Sequence, residues 1–292
     1  MKCKENGKIL LAFYSFGTYN QLHELNKDIS EIRKGVFGMK MMKKIMALAL
    51  ALLMVAALCA CGGSSGDSLT IEKGKLIMST NAEFPPYEMT TDEGGYAGID
   101  VEIAGEIAKK LGLELVIEDM GFDAALLAVQ EGKSDIVMAG VSVTDDRLLV
   151  MDFSDSYATA KQVIIVKEGS AVTLDTLGDY IIGTQRATTG NIYCTEDYGE
   201  DHVKAYDNGA TAVQALVNGQ IDCVVIDSAP AEEYVASNPG LVILETEYVT
   251  EQYAIGMDKG NTALVEAVNK ALAELIADGT VQSIIDKYIS AN

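Results

Sequence analysis

Residues 99–118 read IDVEIAGEIAKKLGLELVIE, a helical pattern followed at once by a strand pattern. Apolar residues recur at helical spacing from Ile99 to Leu111, which predicts a helix over Asp100–Leu111 with one buried face. Asp100 is expected to cap this helix, and Gly112 is expected to end it. Residues 114–118 then form a short, largely β-branched apolar run between two glutamates, which predicts a strand. Helix and strand in direct succession indicate an α/β fold.

The same alternation continues along the chain and predicts an α/β fold with largely parallel sheets. We expect helices at about 123–131, 190–198, 209–218, 229–237, 263–277 and 280–289, the last behind a Thr cap. We expect strands at 75–80, 114–118, 136–139, 162–166, 180–184, 203–205, 222–226, 242–244 and 253–257.

The charge is strongly acidic and unevenly distributed. The formal net charge is -21, with 22 basic and 43 acidic residues among 292. Residues 1–60 hold nine of the basic residues and four of the acidic ones, so the remainder is more acidic still. Phosphate backbones are bound by clustered Lys and Arg, and no such cluster follows residue 60. Nucleic acid is therefore excluded as a partner.

From Met39 the chain reads MKMMKKIMALALALLMVAALCACGGSSG, which is typical of a secretory signal. Its apolar run, 45–58, is shorter than the roughly 20 residues that a membrane-spanning helix needs. We interpret 39–60 as the signal peptide and 61–68 as a lipidated cysteine with a flexible tether. Residues 1–38 precede this signal as an extension of unassigned role, and we expect translation to start near Met39 or Met42.

The segment Leu58-Cys59-Ala60-Cys61 resembles a bacterial lipobox, in which a diacylglyceryl group is attached to the cysteine that becomes the mature N-terminus. Cys61 fits this role, whereas Cys59 follows the bulky Leu58. The resemblance implies lipid anchoring at the extracellular face of the cell membrane. Secretion with cleavage near Ala60 is the alternative.

Two further cysteines, Cys194 and Cys223, remain in the mature chain. Export permits a disulfide between them, and the alternative is two buried free thiols, since Cys223 lies in the apolar run CVVI. No CxxC or His/Cys ligand spacing is present, and His202 is the one histidine after residue 60. We therefore expect no metal and no cofactor.

From about Leu76 onward, the chain resembles family 3 of the bacterial extracellular solute-binding proteins, which serve as polar amino-acid receptors of ABC importers. The resemblance covers nearly the whole mature chain, and its strength comes from several short segments in a common order. These are STNAEFPPYE (79–88), GYAGIDVEIAGEIAKKLG (95–112), GFDAALLAVQEGKSDIVMAGVSVTDDR (121–147), MDFSDSY (151–157), GTQRATTGN (183–191) and CVVIDSAPA (223–231).

This resemblance implies a two-lobed, periplasmic-binding-protein-like (type II) fold with two crossover strands as the hinge. Lobe one would comprise 69–158 plus 252–292, and lobe two would comprise 159–251. A free polar amino acid would bind between the lobes, and hinge closure would present it to a permease with its ATPase. We expect a monomer, held at the membrane by its lipid anchor alone, with no catalysis of its own.

The resemblance also implies the ligand contacts. Arg147 would bind the ligand carboxylate with a planar fork, although a surface salt bridge with Asp145 or Asp146 is the alternative. Asp227 would bind the ammonium group, and it also suits the N-cap of the next helix. The other expected ligand-binding residues are Asn81, Phe84, Phe122, Gly140, Ser142, Gln185, Thr189 and Gly190.

Asn81 and Gln185 give a neutral, amide-bearing pocket, which favours glutamine or a similar ligand, with cystine or cysteine as alternatives. Glu83 could recruit a basic ligand, but the family geometry turns this residue outward. The main rival function is a dehydratase of the cyclohexadienyl or arogenate type on the same fold. Such an enzyme needs a general acid, and an aspartate bound to an ammonium group stays ionised instead.

Overall fold

In the computed structural model, residues 69–289 are described. The described residues do not include the extension 1–38, the signal peptide 39–60 or the tether 61–68 with Cys61. What the sequence predicts for these three segments therefore remains a prediction. The described residues all belong to one compact unit of the chain.

The first sheet has five strands in the order β5-β1-β6-β13-β7. Its strands are β1 (Lys75–Thr80), β5 (Glu114–Asp119), β6 (Ile136–Val137), β7 (Met151–Phe153) and β13 (Gly256–Asp258). Its helices are α1 (Ile99–Leu111), α2 (Phe122–Gln130), α3 (Asp145–Val150), α7 (Thr262–Ala277) and α8 (Thr280–Tyr288). Residues before 154 and after 255 thus form one sheet together, and we call this part lobe one.

The second sheet also has five strands, in the order β10-β9-β11-β8-β12. Its strands are β8 (Ala158–Lys167), β9 (Ile182–Gln185), β10 (Val203–Tyr206), β11 (Cys223–Asp227) and β12 (Leu241–Tyr253). Its helices are α4 (Thr189–Tyr198), α5 (Gly209–Val217) and α6 (Ser228–Ser237), with a 3-10 turn at Leu174–Asp179. We call this part lobe two. The lobe boundaries drawn from the sequence remain predictions.

A small antiparallel sheet lies beside the first. It contains β2 (Glu83–Phe84), β3 (Glu88–Thr90) and β4 (Tyr96–Ala97). Phe84 pairs directly with Glu88 in this hairpin. The sheet leads into α1, whose first N–H groups, those of Ile99 and Asp100, donate to the carbonyls of Pro86 and Tyr87. The hairpin and the start of α1 are therefore held together by backbone hydrogen bonds.

Two adjacent segments join the lobes. β8 and β12 pair antiparallel from Lys167↔Leu241 to Ala158↔Tyr253, with shifts of register between Ile243 and Val249. Beyond these strands, the Ser154 N–H donates to the Ile255 carbonyl, and the Ile255 N–H donates to the Ser154 hydroxyl, both at 2.9 Å. This paired crossing matches the two-strand hinge of the predicted two-lobed fold.

The strand directions differ from the sequence prediction. The sheets are mixed rather than largely parallel, because strands that return across the hinge pair antiparallel with their neighbours. Residues 242–244 and 253–257 were predicted as separate strands, but the structure has one strand from Leu241 to Tyr253 and a second at Gly256–Asp258. Polar residues in the middle of β12 hid its continuity.

Two predicted helix caps were wrong. Gly98 occupies the N-cap position of α1, and Asp100 lies in the first turn, where its carboxylate accepts from the backbone N–H of Gly140. Gly279 precedes α8, while the Thr280 hydroxyl donates to Asp278. The short helix α3, which carries Arg147, was not predicted, since six residues are too few for a periodic pattern.

Cys194 and Cys223 are free thiols in the structure, so the disulfide alternative is not what is observed. Both side chains are fully buried in one apolar cluster of lobe two, with Ile164, Leu177 and Val225. Burial raises the pKa of each thiol to about 12, which keeps both of them protonated and unreactive.

Within residues 69–289, no helix has the length and apolar character needed to cross a membrane. Over the same range, no group of three or more His, Cys, Asp and Glu side chains is arranged to hold a metal ion.

The close approach of α1 to the hairpin depends on Gly98, which gives a stability prediction. A Cβ at Gly98 would lie 2.2 Å from the Tyr87 carbonyl oxygen, at a φ of +129° that side chains rarely adopt. We expect Gly98→Ala to lower the free energy of unfolding by at least about 2 kcal/mol in urea titrations. Gly105→Ala is the matched control, because a Cβ there has open space within the same helix and should stabilise by about 0.5–1 kcal/mol. Equal effects of the two substitutions would contradict this packing.

Candidate functional site

A cleft of about 300 Å³ lies between the two lobes. Both lobes contribute to it, and it contains all of the predicted ligand-binding residues except Gly190. Its lining residues are Asn81, Phe84, Glu88, Phe122, Ala139, Gly140, Ser142, Arg147, Gln185, Thr188, Thr189 and Asp227.

Arg147 supplies the positive charge of the cleft. Thr144 caps the short helix α3 by accepting from the Arg147 N–H, and this places the side chain inward with only 8% of its surface exposed. Nη1 donates to the Ser142 carbonyl at 2.9 Å, and Nη2 donates across the cleft to the Ala187 carbonyl at 3.1 Å. The guanidinium also lies over the Phe122 ring, 5.4 Å from its centroid.

No carboxylate lies within ion-pair distance of Arg147 in the described part of the chain, so the surface salt-bridge alternative is wrong. Burial lowers its pKa, but a guanidinium remains charged at neutral pH. A buried cation held only by neutral carbonyls and a ring is a site for an anion.

The start of α4 faces the same region from lobe two. Thr188 caps the helix through its hydroxyl, which accepts from the Asn191 N–H. The first N–H groups of a helix have no partner within it, and with the helix dipole they favour a negative group. Arg147 and this helix start therefore form an anion-binding corner that draws on both lobes.

Gly190 lies behind this corner rather than in the cleft wall. A Cβ there would come within 2.8 Å of the Gln162 side-chain oxygen and 3.5 Å of Val225. Its lack of a side chain lets α4 approach strands β8 and β11. Gly190 is thus part of the support of Thr189, which does line the cleft.

Asp227 supplies negative charge at the end of β11. It occupies the N-cap position of α6, but its side chain makes no capping hydrogen bond, so the capping interpretation is wrong for the carboxylate. Its Oδ1 is buried without a partner. Burial raises the pKa of Asp227 to about 7, and the nearby charge of Glu251 acts in the same direction. An ammonium group would satisfy this acceptor and restore its ionised form.

The aromatic walls depend on a glycine. Gly140 has a φ of +57°, and a Cβ there would lie 2.9 Å from the Phe84 ring and 3.1 Å from the Tyr253 ring. Phe84 and Phe122 are each 6% exposed. Phe84 stacks on Tyr87, whose ring meets that of Tyr253 edge-on at 5.0 Å. The small residue lets the backbone close against a packed aromatic group.

Asn81 and Gln185 meet across the cleft. The Gln185 amide nitrogen donates to Oδ1 of Asn81 at 2.8 Å, and the Asn81 amide nitrogen donates to the Met120 carbonyl at 3.1 Å. Asn81 is thus occupied by protein partners, whereas Gln185 Oε1 is buried without one. This pair links the two lobes directly.

Glu88 is a cleft residue that sequence reasoning missed. It is fully buried, and among the described residues no N–H or O–H group donates to either of its carboxylate oxygens. It reaches the cleft because it pairs with Phe84 in the hairpin. That pairing was a usable signal: Pro85-Pro86 marks a turn, and residues paired across a turn share one face of a hairpin.

Glu251 is a second missed residue, located on the hinge strand β12. One of its oxygens accepts from the Gln162 amide at 2.9 Å and from the Thr189 hydroxyl at 2.8 Å. Its carboxylate thereby connects the hinge to the anion-binding corner. Nothing in its local sequence distinguishes it from an exposed strand residue.

The buried polar atoms of the cleft include more hydrogen-bond acceptors without a donor than donors without an acceptor. Four buried side-chain oxygens of the lining residues, on Glu88, Gln185 and Asp227, accept no hydrogen bond from any described N–H or O–H group. Arg147 is the one basic side chain in the lining. Buried acceptors without donors cost about 1–3 kcal/mol each, so the arrangement favours a ligand rich in N–H groups.

Comparison with known proteins agrees with this geometry. Residues 76–291 match the model of the bacterial extracellular solute-binding proteins, family 3. A probable histidine-binding protein of Neisseria gonorrhoeae is 34% identical over 85% of this chain and 96% of its own length.

Solved structures are similar as well. An ancestral arginine-binding protein bound to glutamine is 39% identical, with a TM-score of 0.71, over 75% of this chain and all of that one. The arginine-, lysine-, histidine-binding protein ArtJ of Geobacillus stearothermophilus is 32% identical, with a TM-score of 0.71, over 75% of this chain and 96% of that one. The chain belongs to the bacterial extracellular solute-binding proteins, family 3.

Proposed function

We propose that this site selects a free amino acid whose side chain carries a positive charge. The chain is the amino-acid-binding component of an ABC importer and not an enzyme. The buried, unpartnered carboxyl of Glu88 is the observation that carries the choice of ligand class. A cationic side chain supplies both the charge and the N–H donors that this group lacks.

The shared part of any amino acid fits the two charged corners. The carboxylate would bind between Arg147 and the start of α4, and the ammonium group would bind Asp227. Each interaction pairs a buried charge that has no ionic partner in the cleft, which is the situation in which pairing contributes most. Phe84 and Phe122 would then enclose the aliphatic part of the ligand.

Glutamine is the second candidate, and Gln185 favours it. A ligand amide could donate to Gln185 Oε1, and its second N–H could donate to the carbonyl oxygen of a protonated Glu88. Among relatives, one is named as histidine-binding and one solved structure holds glutamine in an arginine-binding protein. An ancestral arginine-binding protein thus also holds glutamine, and the binding measurements below distinguish the two candidates.

Hinge closure would link binding of the amino acid to its delivery to the permease. Two hydrogen bonds cross the cleft between the lobes, Gln185 to Asn81 and Arg147 to the Ala187 carbonyl, and opening of the cleft would break them. A ligand held by residues of both lobes binds the closed state more tightly and shifts the population toward it. The importer's permease and ATPase would act on this closed form, with the binding protein as a monomer.

Lipid anchoring through Cys61 completes the proposal. The LCAC segment supports it, and two acyl chains hold a protein stably at a membrane. The protein would then act at the extracellular face of the cell membrane.

The charged corners give a mutational prediction. We expect Arg147→Ala and Asp227→Ala each to weaken amino-acid binding by at least about 2 kcal/mol, or about thirtyfold in Kd, because each strands an opposite ligand charge in a buried site. Calorimetric titration of refolded, ligand-free protein measures this. Arg186→Ala is the control for Arg147, since Arg186 is exposed and pairs with Asp207. Unchanged affinity in both site variants would refute the assignment.

The role of Glu88 gives a prediction about selectivity. Glu88→Gln should weaken arginine binding by about tenfold to a hundredfold, the cost of losing a hydrogen-bonded charged partner, and should change glutamine binding far less. A thermal-shift screen against the twenty amino acids, followed by Kd measurement, tests this. Glu93→Gln is the control, because Glu93 is an exposed acid in the turn of the same small sheet. A wild-type response to glutamine but not to arginine, lysine or histidine would establish the second candidate instead.

The anchor gives a prediction in cells. Cys61→Ala should move the protein from the membrane fraction to the medium or soluble fraction and abolish labelling by a radioactive fatty acid. Cys59→Ala, two residues away, should leave both unchanged. Loss of labelling in the Cys59 variant instead would assign the anchor to Cys59.

A further inference from the structure

Glu88 and Asp100 form a buried carboxyl pair at the floor of the cleft. Glu88 lies on β3, and Asp100 lies in the first turn of α1, with both side chains fully buried. Asp100 accepts from the N–H of Gly140, which lines the cleft together with Glu88. After burial and the charge of Asp100, a hydrogen bond between the two carboxyl groups also raises the pKa of Glu88. Gly98 makes this approach tight, because it packs against the backbone of Tyr87 and Glu88 with no room for a Cβ.

A contact between two carboxyl groups requires a proton, because ionised carboxylates only accept hydrogen bonds. Asp100 is the better anion of the two. Its Oδ1 accepts from the Tyr157 hydroxyl at 2.7 Å, its Oδ2 accepts from the Gly140 N–H at 2.9 Å, and it lies at the positive end of α1. Glu88 receives no hydrogen bond, so the proton belongs on Glu88 and is donated to Asp100.

The groups that face Glu88 from other elements reinforce this state. They are the acids Asp100 on α1, Asp119 on β5 and Asp227 on β11, together with the hydroxyls of Tyr87, Tyr157 and Tyr234. Burial, and then the charge of Asp100, raise the pKa of Glu88 well above its usual range. Arg147, the cation of the cleft, acts on Glu251 and Asp227 instead.

Resting on the proposed selectivity for a cationic ligand, we propose that a cationic side chain displaces the proton shared by Glu88 and Asp100. Capture of such a ligand therefore releases one proton more than capture of glutamine. The O–H bond of Glu88 breaks, and the proton passes to solvent. The side chain's N–H groups keep their own protons and donate to the new carboxylate. The charge of the closed pocket is therefore unchanged at this position.

The sign of the pH dependence follows. The empty pocket holds the proton and the cation-filled pocket does not, so rising pH favours the filled state. The carboxyl pair has a lower pKa in the filled pocket than in the empty one. Between these two pKa values, the affinity for arginine relative to that for glutamine should increase by up to tenfold per pH unit, and above them the ratio should level off. Asp227 also loses a proton, but it binds the ammonium group common to both ligands, so its contribution cancels in the ratio.

The test is calorimetric titration of the refolded protein with arginine and with glutamine at pH 7, in phosphate and in Tris. These buffers differ in ionisation enthalpy, so the change in observed heat gives the number of protons released. Arginine is the probe because its guanidinium does not titrate in this range. We expect arginine to release about one proton more than glutamine in the wild type, and this difference to vanish in Glu88→Gln. Glu93→Gln should keep it.

Equal proton counts for the two ligands, with both bound by the wild-type protein, would overturn the proton coupling and leave the proposed ligand class intact. Binding of glutamine without binding of arginine would overturn the proposed ligand class, and the coupling with it. The comparison of arginine with glutamine in the wild-type protein needs no variant, so it tests the proton coupling even if Glu88→Gln fails to fold.

Discussion

The cleft is organised by the separation of one buried cation from several buried acids. Arg147 contacts two carbonyls and an aromatic face, but no carboxylate lies within ion-pair distance of it in the described part of the chain. If Arg147 paired directly with Asp227 or Glu251, each charge would already be satisfied, and a zwitterion would have to break that pair in order to bind. Keeping the charges apart leaves the electrostatic gain to the ligand, whose own two charges are held at a fixed separation.

The two-lobed architecture makes this separation tolerable. In an open cleft, water solvates Arg147 and the acids; in the closed cleft, the same groups lose that water and need partners. The polar contacts of Glu251 extend the dependence into the hinge, since its carboxylate connects β12 to Thr189 at the start of α4. Ligand recognition and lobe closure therefore involve the same buried groups, so a ligand that leaves them unpaired also fails to stabilise closure.

Much of the fold could be predicted from the sequence because it depends on local periodicity. The helix at Ile99–Leu111 and the strand at Lys75–Thr80 follow from apolar spacing, and both were found within a residue of their predicted bounds. The mixed sheets could not be predicted in this way, because pairing between distant returning strands leaves no local pattern. Arg147 and Asp227 were predicted through the family resemblance, and the structure places both in the cleft.

Glu88 and Glu251 escaped prediction for a physical reason. Each is a single glutamate in a short polar context, and its importance arises from burial imposed by distant segments. Burial of Glu88 depends on the pairing with Phe84 and on the close approach at Gly98, and its burial is not visible in the residues near position 88. Asp100 was misassigned as a cap for the same reason, because its partner Gly140 lies 40 residues away.

Because the Glu88 carboxyl can hold or lose a proton, ligand selectivity depends on its protonation state as well as on which residues line the cleft. Protonated Glu88 gives its O–H to Asp100 and offers the ligand one neutral acceptor oxygen, whereas ionised Glu88 offers the ligand acceptors and a negative charge, as a cation requires. The residues around it decide how costly the ionised form is: Asp100 opposes it, while the tyrosine and glycine donors to Asp100 determine which of the two acids holds the proton. Two relatives with the same lining residues could therefore differ in ligand through changes behind the cleft wall. In this chain two of the controlling residues, Tyr157 and Gly98, lie outside the lining of the cleft, while the third, Gly140, is part of that lining.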